Sequence, residues 1–234
     1  MTSEKGRKIH EQALAAQERG EFLTALRLED EAMIVYGEDG DVPGFSEIQA
    51  MRTLTYRHLY EQTGYEGYLI KAKHEAMASV ALAEFDEDEY SLAIPLVGLG
   101  RIMVDLSDYS HAAENFQRAV AILERYPEGK HSRKSVIADY KVHLGVALYR
   151  AGDEAALSAA EEALEELEAA TDASAYEKGV WLSGGHMKIA EAMNKVNREK
   201  ATEHMRAAKK IIDSDEKLKL RLEQWNRLEE RLRE

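Results

Sequence analysis

Eight histidines and 44 acidic residues give this 234-residue chain ample material for metal or acid–base chemistry, so spacing has to decide whether any of it is organised. The run His74-Glu75-Ala76-Met77-Ala78 begins like the zinc-protease pattern His-Glu-x-x-His. Position 78 is alanine, so the second ligand one helical turn on is missing and the reading fails. Gly98-Leu99-Gly100 lacks the third glycine of a dinucleotide loop and lies among helix-forming residues instead of after a strand. The chain contains no Gly-x4-Gly-Lys-Ser/Thr phosphate loop and no Gly-x-Ser-x-Gly nucleophile elbow. The acidic run from Glu84 to Glu89 lacks the spaced oxygen ligands and turn glycine of a calcium loop, and reads as a solvated connection. Glu161, Glu162, Glu165, Glu166 and Glu168 read as the outer face of a helix. No catalytic constellation, metal site or cofactor is expected.

With no cysteine, thiolate ligands, thiol nucleophiles and disulfides are closed, which fits a reducing compartment. No apolar stretch approaches the ~18 residues that span a bilayer, and the start, Met1 to Lys8, leads into polar sequence, so a cytoplasmic location is expected. The net charge is −13; residues 196–234 carry 11 basic and 9 acidic side chains, leaving −15 on the rest. A body that acidic repels phosphate backbones and anionic membranes, whose binding needs clustered Lys and Arg. Neither nucleic acid nor membrane is an expected partner; basic or apolar protein surfaces are.

The elements that would position any site are helical. Three prolines are too few for a many-turned β fold, and Ala, Glu, Leu, Lys and Arg lose little rotamer freedom in a helix. Five polar turns recur, at Gly20-Glu21-Phe22, Gly64-Tyr65-Glu66, Ser107-Asp108-Tyr109, Gly152-Asp153-Glu154 and Asn197-Arg198-Glu199, in steps of 44, 43, 45 and 45 residues. Small residues (Ala13, Gly100, Gly145, Ala190) stand before the turn in four of the five repeats. After it, Ala25 and Ala32, Ala112 and Ala119, Ala156 and Ala163, and Ala201 and Ala208 stand seven apart, two turns along one helical face. Small residues on both sides let two helices cross closely.

Helix starts are expected at the capping boxes Ser46-x-x-Gln49 and Ser174-x-x-Glu177 and at their aspartate equivalents Asp86-x-x-Glu89 and Asp213-x-x-Glu216. Loops are expected at 37–44, around Pro43, and at 127–130, around Pro127. Pro95 has to sit in the first turn of its helix or bend it. At the end, Leu218, Leu222, Trp225, Leu228 and Leu232 make one apolar stripe on a charged helix. A cap over the last repeat is the leading reading, and a coiled-coil seam for self-association the alternative.

Leu99, Gly100, Tyr109, Ala112, Phe116, Ala119 and Pro127, followed by Leu144, Gly145, Gly152, Ala156 and Ala163, resemble the tetratricopeptide repeat signature of a Leu-Gly pair, an aromatic and an Ala-x3-Phe/Tyr-x2-Ala run. The resemblance spans roughly residues 6–212, though the commonest period of the family is about 34 residues and here it is about 44. That resembles the extended repeats of kinesin light chains and of bacterial peptide-sensing regulators. HEAT repeats of similar period are the rival fold, and the turn glycines and alanine spacing favour the tetratricopeptide reading. The expected architecture is all-α: a right-handed α-solenoid of about five antiparallel helix pairs, with repeats near 6–44, 45–86, 87–128, 129–172 and 173–212 and a capping helix over 213–234.

The resemblance implies that the first helix of each repeat lines a concave groove that holds a partner. Aligning these helices on their turns gives one row of Leu14, His58, Arg101, Val146 and Glu191, a second of Gln17, Glu61, Val104, Tyr149 and Asn194, and a third of His10, Leu54, Val97, Val142 and Met187. Candidate contacts are His10, Leu54, His58, Glu61, Val97, Arg101, Asp105, His143, Tyr149, Met187, Glu191 and Asn194. The Lys and Asn with which chaperone-binding members grip a peptide carboxylate are not expected at these positions; Arg101 is the one cation there. The function implied is a non-enzymatic scaffold binding a peptide or helix of a protein partner, the alternative a sensor that changes shape around a short peptide or small ligand.

Overall fold

The computed structural model describes residues 3–85 and 88–233. Among them the regular elements are helices: α1 (Glu4–Glu18), α2 (Phe22–Glu38), α3 (Val42–Thr63), α4 (Glu66–Phe85), α5 (Ala93–Asp105), α6 (Tyr109–Arg125), α7 (Lys134–Arg150), α8 (Ala156–Ala169), α9 (Ala175–Met193), α10 (Arg198–Asp213) and α11 (Lys219–Arg233), with a 3₁₀ turn at Glu89–Leu92. The chain forms two compact units, Met1–Asp108 and Tyr109–Glu234.

In the N-terminal unit each helix packs on the next, and α3 also touches α1 and α5, so α1, α3 and α5 form one layer and α2 and α4 the other. The C-terminal unit repeats the plan: α7 and α9 are neighbours, α11 lies on α9 and α10, and α8 fits between α7 and α9. Ile9, Ala13, Ala32, Val35, Tyr36, Ile48 and Met51 form one core cluster, and Leu69, Ala72, Ala76 and Ile102 another. In the C-terminal unit Val142, Leu164, Leu167, Ile189, Ala208 and Leu228 belong to one larger core. Each such fully buried aliphatic side chain contributes about 1.5–3 kcal/mol.

The five turns lie between helices as expected. Gly64 closes α3 in the left-handed conformation (φ 67°), its N–H donating to the Tyr60 carbonyl, the geometry a glycine adopts without a Cβ penalty. Ser107 holds the equivalent place after α5 with φ 61°, in the left-handed region that a side chain disfavours. The small residues before the turns serve close approach. A Cβ on Gly145 would stand 2.8 Å from the Ala156 carbonyl oxygen and from both the Cβ and N of Ala160, so α7 and α8 touch backbone to side chain here.

Helix starts follow the sequence in part. Ser174 forms its capping box, accepting from the Glu177 N–H at 3.2 Å while the Glu177 carboxylate accepts from the Ser174 N–H at 2.9 Å. Pro95 is the third residue of α5, where its missing N–H costs nothing. Pro127 lies in the connection from α6 to α7. The box expected at Ser46 is not a helix start: α3 begins at Val42, capped by Asp41, whose carboxylate accepts from the Gly44 N–H at 3.0 Å and the Ser3 N–H at 2.8 Å, with Pro43 in the first turn. The loop expected over 37–44 therefore shrinks to 39–41, because an aspartate followed by an N-terminal proline is the stronger start. Asp213 likewise ends α10 instead of opening α11, which begins at Lys219. Asp86 lies outside the described residues, and Asp88 caps the 3₁₀ turn containing Glu89.

The stripe on α11 faces inward. Leu218 and Leu228 are buried, Trp225 and Leu232 pack against the core, and the Trp225 Nε1–H donates to the Met205 carbonyl at 3.0 Å. This helix caps α9 and α10.

Candidate functional site

The first helices hold several of the expected side chains, and each unit carries its own set. In the N-terminal unit, Arg57 on α3 bridges two carboxylates, donating from Nε to Asp105 Oδ2 on α5 at 2.5 Å and pairing through Nη2 with Glu61 at 3.0 Å. Glu61 also lies 3.2 Å from His58 Nδ1, and the His58 ring stacks on Phe22 with centroids 5.3 Å apart. His58, Glu61 and Asp105 thus meet around a residue that the turn alignment missed. The i, i+4 spacing of Arg57 and Glu61 was the available signal. Leu54 and Arg101 are half-buried, and His10 lies 3.2 Å from the Tyr36 hydroxyl. His58 is 8 % exposed and Val97 2 %, so both pack in the interior.

In the C-terminal unit, Glu191 on α9 is held between Arg150 of α7 at 2.9 Å and Arg231 of α11 at 3.0 Å, and Arg150 lies 5.4 Å from the centre of the Tyr109 ring. Asn194 donates to the Leu232 carbonyl at 3.4 Å, so it fastens α11 to α9. Tyr149 is half-buried. His143 lies against Phe116, 3.9 Å from Asp139, and is 7 % exposed; Met187 is 6 % exposed within the core. Met187, like Val97, packs inside its unit. Both sat in the apolar row, where the turn alignment cannot separate a groove side from a packing side one residue away.

Basic side chains of three elements lie along α9, a grouping that no local pattern in the chain announces. Arg133, immediately before α7, pairs with Glu177 at 2.9 Å and covers the Trp181 ring at 5.5 Å. Glu177 is held down to about 2, first by its hydrogen bond from Arg133 and then by the Ser174 contacts. Further along, Lys188 Nζ donates to the Gly184 carbonyl at 3.4 Å and Arg221 of α11 donates to Gln224 at 2.7 Å.

Two polar clusters lie inside the units. Glu29 of α2 is fully buried and accepts a 2.5 Å hydrogen bond from the Thr55 hydroxyl, which accepts from Gln17 Nε2 at 2.7 Å. Burial pushes the Glu29 carboxyl up to about 7 against the pull of Thr55 and Arg52. Nearby, Arg52 is hydrogen-bonded to Asp30 and 3.4 Å from Glu75, which also binds Gln49. Glu75, of the His74-Glu75 run, is a structural carboxylate, and His74 beside it is exposed. In the C-terminal unit His186 and His204 face each other with Nδ1 atoms 2.9 Å apart, and His204 Nε2 reaches Glu161 at 3.3 Å. Glu161 is also paired with Lys200, so it faces α10, unlike the exposed Glu162, Glu165, Glu166 and Glu168. These groups form a chain, not a cage, and among the described residues no group of three His, Asp or Glu is placed to hold a metal ion.

No family model and no curated protein matches the chain. Solved structures do. BtubC (BKLC) from P. vanneervenii superposes with a TM-score of 0.61 at 19% identity, over 89% of this chain and 80% of that one. The putative kinesin light chain of Podosopora anserina, with nearly identical TPR-like repeats, gives 0.58 at 17% identity over 92% of this chain and 100% of that one; its Q17M form gives 0.59, also at 17%, over 92% and 98%. The fold is that of a tetratricopeptide-like repeat protein. The arginine–carboxylate pairs Arg57–Asp105 and Arg150–Glu191 join α3 to α5 in one unit and α7 to α9 in the other. No helix among the described residues is long and apolar enough to cross a membrane.

Proposed function

We propose that the protein is a non-enzymatic binding scaffold that docks a peptide or helix of a protein partner along the outward faces of its first helices. The observation that carries this reading is the way those faces are built. Arginine–carboxylate pairs, Arg57 with Asp105 and Arg150 with Glu191, tie neighbouring first helices together while Leu54, Arg101 and Tyr149 stay half-exposed beside them. Such pairs hold side chains in fixed positions without exhausting their hydrogen-bonding capacity, which suits recognition. The net charge of −13 argues against nucleic acid and anionic membrane as the partner. Fold alone fixes no function in repeat proteins, so the reading rests on the faces.

Affinity capture from native lysate tests it, using wild type, a variant with Arg101→Ala and Tyr149→Ala, and a control with the exposed Leu23→Ser and Ile34→Ser on α2. A partner retained by wild type and control but lost from the first-helix variant, with helicity unchanged by circular dichroism, supports the scaffold. A partner lost only from the α2 control moves the interface to the other layer and overturns it.

A further inference from the structure

Each second helix exposes one face, and on four of them that face is charged: Arg27, Asp30 and Glu31 on α2, Glu114 and Arg118 on α6, Glu162 and Glu165 on α8, Glu203 and Arg206 on α10. The face of α4 differs. Between Lys71 and Glu84 its exposed residues are His74, Met77, Ala78 and Ala81, and Ile70 and Phe85 extend the same stripe at either end. Intervals of three and four keep these six on one side of the helix. Ile70 is 56 % exposed, Met77 50 % and Phe85 85 %, so large apolar side chains stand in water where the other second helices place charges. A continuous apolar face of this kind marks an association surface. Its fifteen steps from Ile70 to Phe85 rise ~22 Å, about four turns.

The stripe is complementary to itself in size and in charge. Laid antiparallel against a second copy, with a two-fold axis between Met77 and Ala78, Ile70 meets Phe85 of the other copy, His74 meets Ala81 and Met77 meets Ala78. Large side chains thus face small ones at the centre, where the helices come closest, and the two bulkiest aliphatic–aromatic pairs fall at the ends, where crossing helices diverge. The charges have the same polarity. Lys71 and Lys73 stand at the start of the stripe, and Glu84, Asp88 and Glu89 at and beyond its end. The Lys71 side chain is 53 % exposed while it lies 3.5 Å from Glu75 and 5.7 Å from the centre of the Tyr56 ring. Antiparallel pairing sets the basic end of each copy beside the acidic end of the other, whereas parallel pairing would stack like charges. The helix dipoles favour the same order.

We propose that α4 is a self-association face, on which two copies of the chain pair antiparallel through Ile70, Met77 and Phe85. A single helix pair of this length buries less than ~1,200 Å² in total, so the dimer is a reversible one that dissociates on dilution. Because α4 belongs to the layer of second helices, the pairing leaves the first helices of the N-terminal unit open and stands independently of the scaffold reading.

Sedimentation equilibrium of the full chain between about 1 and about 500 µM tests it. The mean mass is expected to rise with concentration from one chain toward two. Met77→Glu with Ala81→Glu is expected to weaken association at least tenfold, and Leu23→Ser with Ile34→Ser on α2 to leave it unchanged. The absence of cysteine allows the register to be read by crosslinking. In the antiparallel pair position 74 of one copy faces position 81 of the other, while the two copies of position 74 are ~10 Å apart along the axis, beyond disulfide reach. Oxidising an equimolar mixture of chains carrying His74→Cys and chains carrying Ala81→Cys is therefore expected to yield the mixed disulfide in excess over either like pair. A chain that stays monomeric throughout, a dimer indifferent to the α4 glutamates or lost in the α2 variant, or like-pair disulfides as abundant as the mixed one overturns the proposal. Circular dichroism of each variant shows that the helices are retained at these exposed positions.

Discussion

Replacing Glu29 by glutamine isolates one buried carboxyl and its effect on the N-terminal unit. Glu29 has no solvent exposure, its Oε1 accepts from the Thr55 hydroxyl, and its Oε2 has no hydrogen-bond partner. Desolvation favours the neutral acid and raises the folded-state value from 4.5 to about 7. Between those values the folded chain keeps a proton that the unfolded chain has lost. Stability from this group is therefore fully present below about pH 4.5 and is lost as pH rises through about 7. At 1.36 kcal/mol per unit the shift amounts to about 3 kcal/mol, of which about 2.5 develops between pH 5 and pH 8. Glutamine copies the neutral acid: its carbonyl can accept from Thr55, and it cannot ionise. The assay is urea unfolding of wild type and Glu29→Gln at a series of pH values. The variant is expected to gain on wild type by about 2 to 3 kcal/mol between pH 5 and pH 8. A stability difference independent of pH would refute the reasoning and show that Glu29 is already ionised, its charge met by Arg52 and Thr55.

Two glycines should respond oppositely to the same change. Gly145→Ala forces a Cβ to within 2.8 Å of α8 backbone and should cost about 1–3 kcal/mol, whereas Gly98→Ala meets nothing within 4 Å and should gain about 0.5–1 kcal/mol from helix propensity; equal melting shifts would contradict the close crossing. His186, faced by His204 of α10 and, beyond it, by Glu161 of α8 and Lys200 of α10, is held down to about 4, first by burial and then by His204. The unfolded chain takes up this proton first, so stability falls from about pH 6.5 to about pH 4, by about 3 kcal/mol at most. His186→Gln should flatten that part of the pH profile, and an unchanged slope would remove His186 as its source.

Residue types and their intervals were enough for the helices, their turns and the close pairings. Ala, Leu and Glu runs have a strong local preference. Gly64 and Gly152 mark places where the backbone turns left-handed, and Gly145 and the paired alanines record contacts that any longer side chain would break. Capping was legible where one signal stood alone, as at Ser174, and misleading where two competed, as Asp41 with Pro43 prevailed over Ser46. The apolar stripe of α11 showed that it would cover something. The side of each first helix facing outward was another matter. On a helix, a core face and a groove face are one residue apart, and only the packed neighbours separate His58 and Val97, which lie inside, from Arg57 and Glu61, which pair beside them. The arginines on either side of Glu191 come from α7 and α11, and no local pattern links them. Their meeting depends on how the capping helix lies across α9, which is set by the burial of Leu218, Trp225 and Leu228 and not by the charges themselves. Local propensity thus determined the elements, and long-range packing of apolar faces decided which polar groups came to share a surface.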